Sequence, residues 1–111
     1  MNWIELNQIE QLNQIRELSK TRPQVIFKHS TRCFISTMIK DRLELVGPPD
    51  ETDFYFLDLL RHRQLSNKIA ATFSVHHESP QILLIRNGEC TFDESHEGID
   101  MNEIAEQARS N

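Results

Sequence analysis

Two thiols, Cys33 and Cys90, are the side chains of this 111-residue sequence with the widest chemical repertoire. A thiolate can attack a disulfide, leave from one, or bind a metal. Cys33 stands in the run Lys28-His29-Ser30-Thr31-Arg32-Cys33-Phe34-Ile35-Ser36, where an apolar β-branched run gives way to a helical pattern. A cysteine at a helix start meets unpaired backbone N–H groups and the positive end of the dipole, and both favour an anion. Ser30 or Thr31 is a candidate cap for that helix. Residues 20–42 carry six of the twelve Lys and Arg and a single acid, so they sum to +5 and the rest of the chain to −10. Such a run is either a solvated face or a field that favours the thiolate. Arg32, next to the thiol, is the best candidate for that field, with Thr31 beside it. His29, His77 and Glu78 are candidates for lining a pocket.

Position 36 completes the spacing at which a dithiol centre would hold its second cysteine, and it is Ser36. A hydroxyl can hydrogen-bond the Cys33 thiolate but cannot resolve a mixed disulfide. The centre is therefore expected to be monothiol and to need an external thiol for release. Cys90 follows the turn signal Asn87-Gly88 and is expected to pack in a return strand. The five histidines show no zinc or iron spacing, so no metal is expected. Glu94, Ser95 and His96 are expected to follow the final strand and to close the rim of the site.

The elements that must position these residues alternate. Trp3–Leu6 reads as a short strand. Ile9, Leu12, Ile15 and Leu18 form a stripe for a helix over 7–19, closed off by Pro23. Gln24–Phe27 is a buried strand. Ile35, Met38, Ile39, Leu43 and Val46 give the cleanest helix, ended by Gly47-Pro48-Pro49. Asp53–Leu59 is a strand, and Leu65, Ile69 and Phe73 mark a helix near 62–72. Gln81–Arg86 and Glu89–Phe92 flank Asn87-Gly88 as a hairpin. Asp100 with Glu103 resembles a capping box before a helix carrying Met101, Ile104, Ala105 and Ala108. The order β-α-β-α-β-α-β-β-α predicts an α/β fold, a mixed central sheet with helices on both faces. It is the element order of the thioredoxin fold. In such folds the residue pair before the fourth strand, here Ser79-Pro80, is expected to be a cis-proline facing the cysteine, with the Ser79 backbone pairing with substrate.

The length fits one domain spanning 1–111. An acidic balance, 17 Asp and Glu against 12 Lys and Arg, argues against general nucleic-acid binding. No apolar run approaches the ~18 residues of a membrane span. The start of the chain lacks the pattern of a signal peptide, and a cytoplasmic setting with reduced thiols is expected.

The blocks Phe27-Lys28-His29-Ser30-Thr31-Arg32-Cys33 with Ile35-Ser36, and His77-Glu78-Ser79-Pro80-Gln81, carry a resemblance. Over nearly its full length the chain resembles the bacillithiol-system redox-active protein family of the YtxJ type, the monothiol bacilliredoxins. The resemblance implies a monothiol disulfide oxidoreductase of thioredoxin-like fold. Its Cys33 would remove bacillithiol, or a similar low-molecular-weight thiol, from protein mixed disulfides. It implies bacillithiolated proteins as partners, that thiol as co-substrate, no other cofactor, and a monomer. The family usually has Pro after the cysteine, where this chain has Phe34. Two alternatives stand beside this reading: a non-catalytic adaptor or redox sensor, and a monothiol glutaredoxin-like protein.

Overall fold

The computed structural model describes residues 1–110. Its elements in chain order are β1 (Trp3–Glu5), α1 (Gln11–Leu18), β2 (Gln24–His29), α2 (Phe34–Val46), β3 (Asp53–Asp58), α3 (Arg63–Phe73), β4 (Gln81–Arg86), β5 (Glu89–Ser95), a 3₁₀ turn (His96–Gly98) and α4 (Met101–Arg109). The five strands form one sheet in the order β1-β3-β2-β4-β5. β1, β3 and β2 run parallel, and β4 and β5 are antiparallel to their neighbours. The three parallel strands are joined by helical crossovers, as their direction requires. The β4–β5 hairpin turns at Asn87 and Gly88, whose φ values of 53° and 80° are the left-handed pair that a two-residue turn demands.

Each face of the sheet has its own core. On one face Ile26, Tyr55, Leu57, Leu83 and Ile85 pack under Leu12 and Ile15 of α1 and Leu65, Ile69 and Phe73 of α3. On the other, Val25, Phe27, Phe54, Ile82 and Leu84 pack under Ile39 and Leu43 of α2 and Met101, Ile104 and Ala108 of α4. The period of two along β2 decides where its polar residues go. Lys28 shares a face with Ile26 and points toward α3, whereas His29 shares a face with Phe27 and points toward α2.

Four expectations need correction. α1 begins at Gln11, and Ile9 and Leu18 are exposed, so the apolar stripe is narrower than its spacing suggested. β2 runs on to His29, buried throughout, which draws Lys28 and His29 out of the cysteine loop and into the sheet. β5 continues to Ser95, so Glu94 and Ser95 lie inside the strand and only His96 follows it. On α2, Ile35 and Val46 are exposed, leaving Ile39 and Leu43 as its inner row. The α4 start is as the capping box predicted on its Asp100 side: Asp100 Oδ2 accepts the Glu103 N–H at 3.1 Å.

Candidate functional site

β2 ends at His29, and Ser30, Thr31 and Arg32 make the turn into α2. Cys33 is the residue just before that helix, with extended φ −104° and ψ 117°, and it is partly exposed. Its N–H donates to the Ser30 carbonyl at 3.1 Å, and its own carbonyl accepts from the Thr37 N–H at 3.1 Å. Neither Ser30 nor Thr31 caps α2: no side chain among the described residues takes that place, and Cys33 itself is the cap residue. Thr31 and Arg32 are exposed. The first turn of the helix therefore presents its N–H groups beside the thiol without a side-chain acceptor, the arrangement in which a helix start receives an anion.

Ser36 is fully buried. The spacing suggested that its hydroxyl would serve the Cys33 thiolate, and it does not. Instead Oγ lies 2.6 Å from His29 Nδ1 and accepts the Ser30 N–H at 3.1 Å. One hydroxyl thus fastens the first turn of α2 to both the last residue of β2 and the loop between them. His29 is correspondingly an interior residue, 5 % exposed, with its ring near Phe27 and Phe56 at centroid distances of 5.7 and 5.1 Å. It does not line a surface pocket. Burial pushes its imidazole below the usual value, and the Lys40 charge acts in the same direction.

The positive segment is not gathered around Cys33. Lys20 pairs with Glu17 at 2.7 Å, Arg22 with Asp53 at 3.1 Å, and Lys40 with Glu44 at 2.9 Å. Arg22 lies at the opposite end of β2, in a polar group where Gln24 Nε2 donates to Asp53 and Tyr55 Oη donates to Gln24. Lys28 is 0 % exposed, and Nζ donates to the Ser66 carbonyl at 3.2 Å and meets His77 Nδ1 at 3.1 Å. Arg32 is the charge of this run next to the cysteine in sequence.

The second resemblance block reaches the same end of the sheet. Gln81, the first residue of β4, pairs with Lys28, so Ser79 and Pro80 sit where β2 passes into the cysteine turn. The Ser79–Pro80 peptide is cis. The side chain of Gln81 closes the preceding turn, accepting from the Glu78 N–H at 3.3 Å and donating to the His76 carbonyl at 3.0 Å. Pro80 is buried and its carbonyl accepts from the His96 N–H at 2.9 Å. Among the described residues, no hydrogen bond within the chain takes the Ser79 backbone N–H or carbonyl.

Cys90 belongs to the far end. It pairs with Ile85, which pairs with Gln24, and Gln24 lies five residues before His29. At ~3.3 Å per residue this is roughly 16 Å of strand before the cysteine turn even begins. A disulfide needs Cα atoms within about 7 Å. Cys90 packs against the core, and burial pushes its thiol up to about 11. No group of three His, Cys, Asp or Glu suited to a metal occurs among the described residues.

Comparison with known proteins agrees with this architecture. A solved structure described as a candidate oxidoreductase with a thioredoxin fold is 31% identical and has a TM-score of 0.80, covering 94% of this chain and 91% of that one. The thioredoxin of Malassezia sympodialis is 16% identical with a TM-score of 0.75, over 98% of this chain and 92% of that one. The thioredoxin of Trypanosoma brucei brucei is 14% identical with a TM-score of 0.75, over 97% and 88%. These last two share the fold. The family profile of the monothiol bacilliredoxin BrxC matches residues 4–104, and the chain belongs to the monothiol bacilliredoxin family.

Proposed function

We propose that this thiol-redox protein removes a low-molecular-weight thiol, bacillithiol in the first instance, from protein mixed disulfides in the cytoplasm, acting as a single domain and without a bound cofactor. The carrying observation is the make-up of the helix start: a partly exposed Cys33 beside uncapped N–H groups, with a buried Ser36 where a resolving thiol would stand. The Cys33 thiolate attacks the bacillithiol sulfur of the mixed disulfide. A bond forms between the two, the bond to the client sulfur breaks, and the client leaves as its thiolate. A second bacillithiol attacks the bacillithiol sulfur on Cys33. The disulfide of two bacillithiols departs, and Cys33 is returned as thiolate. Each step exchanges one S–S bond for another, and the external thiol supplies the two electrons. The unpaired Ser79 backbone offers the client an edge for strand-like pairing.

The test is a client protein carrying one bacillithiol, incubated with the chain and followed by mass spectrometry. The expected products are the unmodified client and a Cys33–bacillithiol adduct, cleared by added bacillithiol, and neither forms with Cys33→Ser. The exposed Phe34 in the family's usual proline position favours a second reading, a sensor whose Cys33 is modified without turnover. An adduct on Cys33 that added bacillithiol does not clear would support that reading.

A further inference from the structure

Among the described residues Lys28 is the one lysine with no solvent exposure. Buried lysines ordinarily come with a carboxylate. Among the described residues Lys28 forms no ion pair: its partners are the Ser66 carbonyl on α3 and the ring of His77. Ser66 Oγ also lies 3.4 Å from the same His77 nitrogen. For Nδ1 to accept from the ammonium it must be unprotonated, and burial together with the Lys28 charge lowers the His77 value accordingly. Burial likewise lowers Lys28 to about 8. Taking an ammonium out of water is costly, and the hydrogen bonds recover only part of that cost. The residue spends this energy at one place, the junction of β2, α3 and the segment leading to Pro80.

That segment is otherwise held by the Gln81 side chain, a clasp internal to it, and by the His96 N–H on the Pro80 carbonyl. Lys28 is the side chain that ties it across to the strand bearing the cysteine turn. We infer that Lys28 is a positioning residue for protein substrates, holding the His77–Pro80 segment so that the Ser79 backbone stands at a fixed offset from Cys33. The inference rests on the proposed exchange reaction for its catalytic readout. It distinguishes two kinds of substrate. A protein mixed disulfide must dock along the Ser79 edge as well as reach the sulfur. A small aromatic disulfide needs only Cys33.

Lys28→Met keeps the length of the side chain and removes the donor, and His77→Ala removes the acceptor from the other side. Each should raise KM for a bacillithiolated protein roughly tenfold, as the loss of a charge-assisted hydrogen bond implies. The double variant should fall well short of the product of the singles, because both remove the Lys28–His77 contact. The rate with the small aromatic disulfide should stay at the wild-type value. Amide exchange at Glu78 should accelerate in both variants, a readout that needs no turnover. Wild type failing to release the client would overturn the exchange reaction alone, and Glu78 exchange would still decide the role of Lys28. Unchanged Glu78 exchange, unchanged KM in a folded variant, or equal slowing with both substrates would overturn the inference.

Discussion

The Ser36 hydroxyl stands 2.6 Å from the His29 ring nitrogen, seven residues away in sequence and on a different element. This bond fills the position beneath Cys33 that a second thiol would occupy. Ser36→Ala should leave a buried imidazole nitrogen without its partner and cost about 1–3 kcal/mol. Denaturant titration measures it, with the midpoint falling and the slope unchanged. Ser36→Cys should instead supply a resolving thiol within one turn of Cys33. Mild oxidation should then remove two hydrogens from the variant and none from wild type, read by intact mass. An internal Cys33–Cys90 disulfide in wild type would contradict the separation described above.

The two cysteines should differ sharply in reactivity. Cys90 is pushed up to about 11 by burial and, to a lesser degree, by Asp93. Iodoacetamide at about pH 8 should therefore label Cys33 alone in the native protein, since the thiolate is the reacting form. Unfolding in denaturant should admit a second label. Labelling of Cys90 at an equal rate in the folded chain would mean that β5 opens readily.

Acid and alkali should act on stability through different groups. His29 and His77 are both held below the usual 6.5, burial being the main cause. The unfolded chain then binds protons that the folded chain resists. The contribution of the two histidines is fully present above about pH 6.5 and is lost as pH drops through the lowered folded values. Lys28 also has a depressed value, about 8 against an ordinary 10.5. Its cost is felt in full below pH 8 and relieved as pH rises from about 8 to 10.5. Relative to Lys28→Met, wild type should gain on the order of 1–3 kcal/mol across that window. Urea titrations of both proteins at matched pH check the sign.

Phe34 is 80 % exposed at the first position of α2. Proline is well suited to that position, since its missing N–H has no helical partner there. The preceding residue must be extended, and Cys33 already is, with ψ 117°. Phe34→Pro should therefore raise stability by about 0.4–1 kcal/mol, through a stiffer unfolded chain. A rise in thermal midpoint is the expected result, and a fall would show that the turn needs the freedom of Phe34.

Much of the fold was legible because its signals are local. Gln81–Arg86 and Asn87-Gly88 define their strand and turn within eight residues. The start of α1 was not. Ile9 has helical spacing, but the Gln11 side chain accepts the Asn7 and Gln8 N–H groups and donates to the Glu5 carbonyl, binding 7–10 as a loop. Cys33 at a helix start was readable from the change of period at that point. The His29–Ser36 bond was not, since it joins a strand end to a helix turn and follows neither period. Lys28 and its neighbours read as a surface charge run because lysine is almost always exposed. Only the extension of β2 to His29 reveals that two of those polar residues are interior.

Adjacent residues of β2 thus send a polar head into each of the two cores, Lys28 into one and His29 into the other. Sliding the strand by one position would exchange them. The ammonium would face the Phe56 ring of β3, and the imidazole would face α3, each without its acceptor. Apolar residues on both faces of a central strand tolerate such a slip, because any of them is content in either core. The Lys-His dipeptide removes that tolerance. It makes β2 readable in a single registration against α2 and α3, so the strand that delivers the cysteine can seat in only one way.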